Sequence, residues 1–479
     1  MSKTTDQSTR LLCASVLLGH GGARAKVIEW FRDHNRGVAD ELGVNLKLAI
    51  QLARWAERRE RRYVRAYFLI FVLTAVAALA EVAGGGVGLA SAILGSVITG
   101  IVWIRKRAQE RNEFAKYFLP AKFNAEEVAG RFKIELKAHD ITALPSSNQN
   151  FFAYGGFTPF VGAGYDLGGW SVAIATDKAK EVLGRSVSIE KFEAADVYRA
   201  IDEDVQRLAL TGIETNDCYY ASGADLRHNR KLLPDIYGRP AQYLDAAAAA
   251  PYLYADDDAV RHYRCYRIPD WGGELAYSYY LRCSLRGNTL FVETRKFLVT
   301  PLDQAFRTID DTVALAGKEW AATVIAGLLA GPFLLLAAPF RAYGAVMHWF
   351  QELADQDKER RRMIDEHPRF NYGTTSSLRQ ALSGSYQHYF QKVDSDFFGK
   401  ALERQILDAL VAFLERRGID TSELRERQTT IMNSGVIVQG GDVNAEALAV
   451  GAGSRAAKKV RTALRATAAS AGATGGTSK

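Results

Sequence analysis

The feature that most limits what this chain can fold into is the stretch "RAYFLIFVLTAVAALAEVAGGGVGLASAILGSVITGIVWIRKR", Arg65 to Arg107. No charged residue occurs from Ala66 to Ala80, nor again from Val87 to Ile104. Between the two runs stand Glu81 and the Gly84-Gly85-Gly86 triplet. A helix needs roughly 20 predominantly apolar residues to cross a bilayer, and each run reaches that length once Tyr63 and Val64, or Val82 and Ala83, are added. The pattern predicts a transmembrane helical hairpin over residues 63–106 turning at the glycines. The other reading of the same pattern is a buried αα-hairpin of a soluble domain.

The flanks favour lipid. Arg54, Arg58, Arg59, Arg61, Arg62 and Arg65 precede the first run, and Arg105, Lys106, Arg107 and Arg111 follow the second. The tip carries no cation, and the positive-inside rule then puts both ends in the cytoplasm. Tyr63, Tyr67 and Trp103 stand where interfacial aromatics belong. Gly88, Ala92, Ser96 and Gly100 recur every four residues, beside a second row of Ser91, Gly95 and Thr99. Small residues at that spacing let helix backbones approach closely in lipid.

A third apolar run lies in residues 318–350, uncharged from Trp320 to Phe340. Gly331, Pro332 and Pro339 interrupt it, and proline removes a backbone donor and kinks a helix. The basic cluster Lys358, Arg360, Arg361 and Arg362 follows. A single crossing would strand that cluster on the far side, so the run is expected to be broken or re-entrant, with a single span as the alternative.

Residues 107–317 read as a cytoplasmic α+β domain, with strands near Phe151–Tyr154 and Trp170–Thr176. A helical spacing runs through Phe192, Val197, Ile201, Val205 and Leu208. A β-hairpin turns at Gly287-Asn288, with Leu275, Tyr277, Tyr279, Leu281, Cys283 and Leu285 on one face. Its arginines read as a solvated outer face. Residues 1–62 form an N-terminal cytoplasmic helical region, with an amphipathic helix after Thr9 and no signal peptide. Residues 351–430 form a C-terminal helical region in which Leu402, Ile406, Ala409, Leu410 and Phe413 share a face, ended by Gly418. The fold class is thus α+β, with a helical transmembrane hairpin and a broken third membrane helix.

Chemistry-bearing motifs are scarce. Gly162-x-Gly164 lacks the GK[ST] of a phosphate loop, Asp256, Asp257 and Asp258 read as a solvated loop, and no G-x-S-x-G elbow occurs. Cys13, Cys218, Cys265 and Cys283 have neither zinc-site nor disulfide spacing. No catalytic residue, cofactor or metal is predicted. The formal net charge of +7 suits an anionic membrane face, and no specific nucleic acid is expected. Residues 431–453 are uncharged over most of their length and punctuated by Gly and Asn; Asn433, Gly435, Val436, Gln439 and Gly440 mark a β-arch-like interaction motif suited to self-association or a protein partner. Residues 454–479 read as a disordered basic tail.

The stretches "TRLLCASVLL", "YGGFTPFVGAGYDLGGWSVAI", "RCYRIPDWGGELAYSYYLRCSLRG" and "NSGVIVQGG" give the chain a resemblance to uncharacterised multi-pass membrane proteins of high-GC Gram-positive bacteria. The last of them is similar to the amyloid-type signalling motifs of bacterial defence proteins. The resemblance implies a multi-pass plasma-membrane protein, its bulk cytoplasmic, with an interaction or signalling role as a membrane effector in stress or phage defence. A channel or small-solute transporter, and a membrane-tethered enzyme, are the alternatives.

Overall fold

The computed structural model describes residues 6–433 apart from 32–34, 137–140, 142–143, 184, 209, 211, 255–258, 312–316 and 354–355. Helix α1 (Asp6–Leu18) and α2 (Ala23–Trp30) lead into α3 (Leu46–Ala83) and α4 (Leu89–Tyr117), followed by the short α5 (Ala125–Arg131). Asn45 starts α3 by accepting from Leu48 N at 3.0 Å, the role expected of an N-cap. The first third of α3 lies in the core through Leu46, Leu48, Ile50, Leu52 and Ala53. Its continuation exposes Leu69, Leu73, Val76 and Leu79, and α4 exposes Ile93, Leu94 and Val97. One rigid helix therefore begins inside a domain and ends as a bare apolar rod.

Helix α1 departs from the amphipathic expectation. It begins at Asp6, and Ser8 to Leu17 are buried on every side. Arg10 is drawn inside because its guanidinium donates to both carboxylate oxygens of Asp310, at 2.6 and 2.7 Å, and to the Phe118 carbonyl at 3.0 Å. A bidentate partner 300 residues away offsets the desolvation of the charge.

The sheet is built from β1 (Phe151–Tyr154), β2 (Tyr165–Asp166), β3 (Ser171–Ala175), β6 (Glu214–Ser222), β7 (Val260–Asp270), β8 (Leu275–Arg286) and β9 (Thr289–Val299); β4 (Glu181–Val182) and β5 (Arg185–Ser186) pair apart from it. Its order is β1-β6-β7-β8-β9, with β2 and β3 both on β9; β1 runs parallel to β6 and the other pairs are antiparallel. The β8–β9 hairpin closes at Gly287-Asn288 with Arg286 opposite Thr289, as the sequence predicts.

One sheet face packs against α6 (Ala194–Arg207) and a long C-terminal helix, Tyr389–Arg416. The residues read as the inward face of β8, Leu275 to Cys283, meet Leu402, Ile406, Leu410 and Phe413 there. On the other face Phe160, delivered by the loop after β1, sits 4.6–5.2 Å from the rings of Tyr220, Tyr263, Tyr280 and Phe297. Burying each such ring is worth about 2–3 kcal/mol.

The third apolar run is helical: α7 (Gly317–Leu353) carries Pro332 and Pro339 inside it. A proline removes one donor, and a well-packed helix tolerates that loss. Among the described residues three helices, α3, α4 and α7, are long and apolar enough to cross a membrane. Both flanks of α7 rest on the same domain. Phe306 and Ile309 before it join the core of α1, and after α8 (Gln356–Glu366) and α9 (Leu378–Ala381) the chain adds α10 (Tyr389–Arg416), which covers the sheet, and α11 (Ser422–Asn433). Of the C-terminal interaction motif only Asn433 is described, as the last residue of α11; Gly435, Val436, Gln439, Gly440 and the basic tail lie outside the described residues, as do Asp256, Asp257 and Asp258.

Candidate functional site

Two constellations stand out, one in the apolar bundle and one on the sheet. In the bundle, the two small-residue rows of α4 face different partners. Gly95 lies so close to Thr74 of α3 that a side chain there would collide, and Thr99 beside it is buried. Ser96 and Gly100 face α7: a methyl group on Gly331 would strike the Ser96 carbonyl, and one on Gly100 would lie 2.6 Å from the Gly327 carbonyl. Gly331, expected at a break, is a point of backbone contact with α4. Of the remaining predicted seam residues, Gly88 caps α4 against Ala78, and Ala92 is exposed. Pro332 is exposed and Pro339 half-buried.

Ionisable groups within and below the bundle have structural work. Glu81 accepts from Ser91 N at 3.0 Å and so caps the start of α4, where a carboxylate suits the helix dipole. At the base, Arg59 donates to Glu110 at 2.9 Å and to Glu113 at 3.0 Å, all three buried, while Arg111 of α4 pairs with Glu319 of α7 at 3.0 Å. Part of the flanking positive charge is therefore neutralised within the protein.

The sheet constellation follows from register. Arg282 stands opposite Glu293, Ser284 opposite Phe291, and Tyr280 opposite Arg295, while Ser171 of β3 lies on the far side of Glu293. These side chains share one face, and all but Tyr280 line, with Arg261 and Arg286, a cavity of ≈ 590 Å³. A second cavity of ≈ 530 Å³ shares Arg261, Glu293 and Arg295 and adds Phe157. Arg282 is 7% exposed and Ser284 3% exposed; Arg261, Arg286 and Arg295 stand at the surface. The acids are Glu293, 4.0 Å from Arg282, and Asp166, 3.7 Å from Arg295. Burial and the neighbouring Glu293 push the Tyr263 hydroxyl up to about 12, so it is neutral. The Ser284 hydroxyl is buried without a hydrogen-bond partner among the protein atoms.

Across the sheet the polar groups do the reverse and close on one another. Asp217 accepts from His262 at 2.6 Å and from Arg264 at 2.8 Å; Asp202 accepts from Arg264 at 3.1 Å and from the Tyr266 hydroxyl at 2.7 Å. Burial lowers the His262 pKa. Asp217 is held below the ordinary range because the bond from His262 and the charge of Arg264 outweigh its own burial. This network fastens α6 to β6 and β7. Two arginines of β7 are thus engaged: Arg264 here, and Arg267 in an ion pair with Asp40.

Gly162 and Gly164 serve packing, against the backbone of Asp40 and Leu298. The basin residues were visible as a face: once the Gly287-Asn288 turn is placed, Arg282, Ser284, Arg286, Glu293 and Arg295 fall on the same side by counting in twos.

The comparisons with known proteins add one assignment. The AbeC-like domain family matches residues 169–444, more than half of the 479-residue chain. The chain belongs to the AbeC-like domain family. The AbeC-like region takes in β3 to β9, helix α7 and the C-terminal helices, and leaves the α3–α4 hairpin outside. All the basin arginines fall in the AbeC-like region, as does the α7 side of the small-residue seam. No curated protein and no solved structure matches the chain.

Proposed function

We propose that this AbeC-like protein is an integral membrane effector of the abortive-infection kind, acting in bacterial phage defence from the inner face of the plasma membrane. The observation that carries the reading is the continuity of α3 and α4: both are held in the domain core at one end, through Leu46–Ala53 and Phe114–Tyr117, and end as an exposed apolar hairpin. A change in the domain is thereby delivered to the bundle without an intervening flexible joint. The AbeC-like match, read as an abortive-infection type of family, supports the biological setting.

Chain continuity supports keeping the whole domain on one side. The first half of α7 climbs along α4, from Glu319 beside Arg111 to Gly331 beside Ser96. Eleven residues beyond its end, the Ile364 carbonyl accepts from Arg227 of the domain at 2.8 Å. A straight helix of 37 residues is about 55 Å long. Even at full extension a link of this length, with the helical turns of α8, would return at most roughly 25 Å. We therefore read the second half of α7 as turning back, with Pro332 and Pro339 at the turn. On this reading α7 enters and leaves from the cytoplasmic face, which also keeps Arg360–Arg362 there.

Two experiments test the proposal. Single cysteines at Gly85, Phe157 and Met347, in a host expressing the chain, are probed with a membrane-impermeant maleimide: Gly85 reacts from outside the cell, whereas Phe157 and Met347 react only after lysis. Reaction of Met347 from outside makes α7 a simple span. Induced expression should lower phage plating and depolarise infected cells; unchanged plating, or recovery of the intact chain from a detergent-free supernatant, overturns the effector reading.

A further inference from the structure

We propose that the arginine-lined basin on the second face of the sheet binds a nucleotide, its phosphates held by the arginines and its base by Phe157. The inference concerns the sheet alone and stands whether or not the membrane reading does. Four guanidinium groups, of Arg261, Arg282, Arg286 and Arg295, converge on one cavity lined by a single acid, Glu293, with Asp166 in the adjoining cavity. The guanidinium fork matches phosphate geometry and binds it through paired, charge-assisted hydrogen bonds. Arg282 is the anchor, because it is buried in the floor with its position fixed by the β8–β9 register.

The Ser284 hydroxyl is a second, independent sign. It is 3% exposed, lines the cavity, and has no hydrogen-bond partner among the protein atoms. A buried polar group of that kind destabilises the fold unless something satisfies it. A phosphate oxygen placed between Arg282 and Arg286 would accept from it. The size also fits: ≈ 590 Å³ is in the range of small-molecule sites and well beyond what a single inorganic ion needs. Against the adjoining cavity stands Phe157, fully exposed on the loop after β1. An aromatic ring held in water beside a cationic basin is suited to stack on a planar base.

Equilibrium binding to the detergent-solubilised full chain decides the matter, with ATP, GTP, CTP and UTP as probes, beside inorganic triphosphate, adenosine, and vesicles containing phosphatidic acid. At least one nucleoside triphosphate should bind in a one-to-one ratio, adenosine should not, and inorganic triphosphate should bind at least several-fold more weakly. Arg286→Ala and Arg295→Ala, both at exposed positions, should each weaken binding by about tenfold with an unchanged melting temperature of the unliganded protein. Phe157→Ala should bring the nucleotide down to the inorganic triphosphate. Arg282→Lys keeps the buried charge but not the fork, and should bind more weakly than the parent while remaining folded. The proposal is overturned by no binding of any nucleotide, by binding that survives the arginine substitutions, by equal affinity for inorganic triphosphate, or by association with the vesicles alone.

Discussion

The apolar bundle and the sheet domain solve the problem of close packing in opposite ways. In the bundle the contacts that matter are made by what is missing. Gly100, Gly327 and Gly331 let backbone meet backbone, while Leu73, Leu79, Ile93 and Phe333 point outward. In the domain the large side chains are inside, with Phe160 ringed by four aromatics and Arg10, Arg59 and Arg379 buried among acceptors. Water drives the second arrangement, because it rewards burial of apolar area. In a bilayer it would not drive the first, since hydrocarbon is as apolar as leucine, and association there would rest on close contact. The two regions should therefore fail in different ways, and the strongest test is to fill the seam.

Gly331→Leu should have the largest effect. The new side chain would occupy the place of the Ser96 backbone, which has no room to yield within a helix. Helix α7 should leave α4, and the full chain should lose its single symmetric peak in detergent size-exclusion chromatography. The domain, whose cores do not include Gly331, should keep its β-sheet signature in circular dichroism. A variant that elutes like the parent would mean that the seam does not hold the bundle.

Arg59→Ala comes next, and probes the joint between the regions. It leaves Glu110 and Glu113 facing each other at the base of the hairpin without their shared cation. Removing one partner of a buried ion pair costs about 3–5 kcal/mol. The loss should appear as a lower unfolding midpoint of the whole protein, and Glu110→Gln together with Glu113→Gln should recover part of it. A midpoint within error of the parent would show that solvent reaches those carboxylates.

How much of this could be read from the residues alone depends on the range of the force involved. The hairpin was legible because its signal is contiguous: two uncharged runs, a glycine tip and arginine at both ends. The β8–β9 hairpin was legible for the same reason, a turn and a period of two. Helix α1 was legible as a helix but not as a buried one, because "TRLLCASVLL" can be buried on every side only when Asp310 arrives to pair Arg10. Helix α7 was half legible: Gly331-Pro332 marks a place where a helix can turn, but only a partner helix shows that the glycine is also a contact. The basin was half legible. Its arginines could be placed on one face, but they read as solvated because the loops that bound it, carrying Phe157 and Gly169, have no period.

The third test uses a charge rather than a volume. Glu41, ahead of α3, is buried, and its carboxylate accepts from the backbone N–H groups of Leu378 and Arg379 at 2.8 and 2.6 Å. Burial pushes its pKa up to about 8 against those hydrogen bonds. With the folded value above the unfolded one, the folded state holds a proton that the unfolded state has released between pH 4.5 and 8. This group's contribution is full below that window and lost as pH rises through it. The domain should lose about 2 kcal/mol from this source between pH 5 and 7, and Glu41→Gln should flatten that part of the profile. An unaltered slope in the Gln variant would assign the pH dependence elsewhere.

The smallest effect separates the two uses of glycine. Gly287 has φ +54° at the β8–β9 turn, and a methyl group added there meets nothing within 4 Å. Gly331 has no positive φ and no free space. Gly287→Ala should therefore cost only the backbone penalty of a left-handed non-glycine residue, about 1 kcal/mol, with the register of Arg282 against Glu293 intact. Gly331→Ala, the same chemical change, should already disturb the bundle, because its cost is steric. If the turn variant proved the more damaging of the two, the bundle would be held by something other than backbone contact, and the contrast between the regions would have to be drawn at the turn instead.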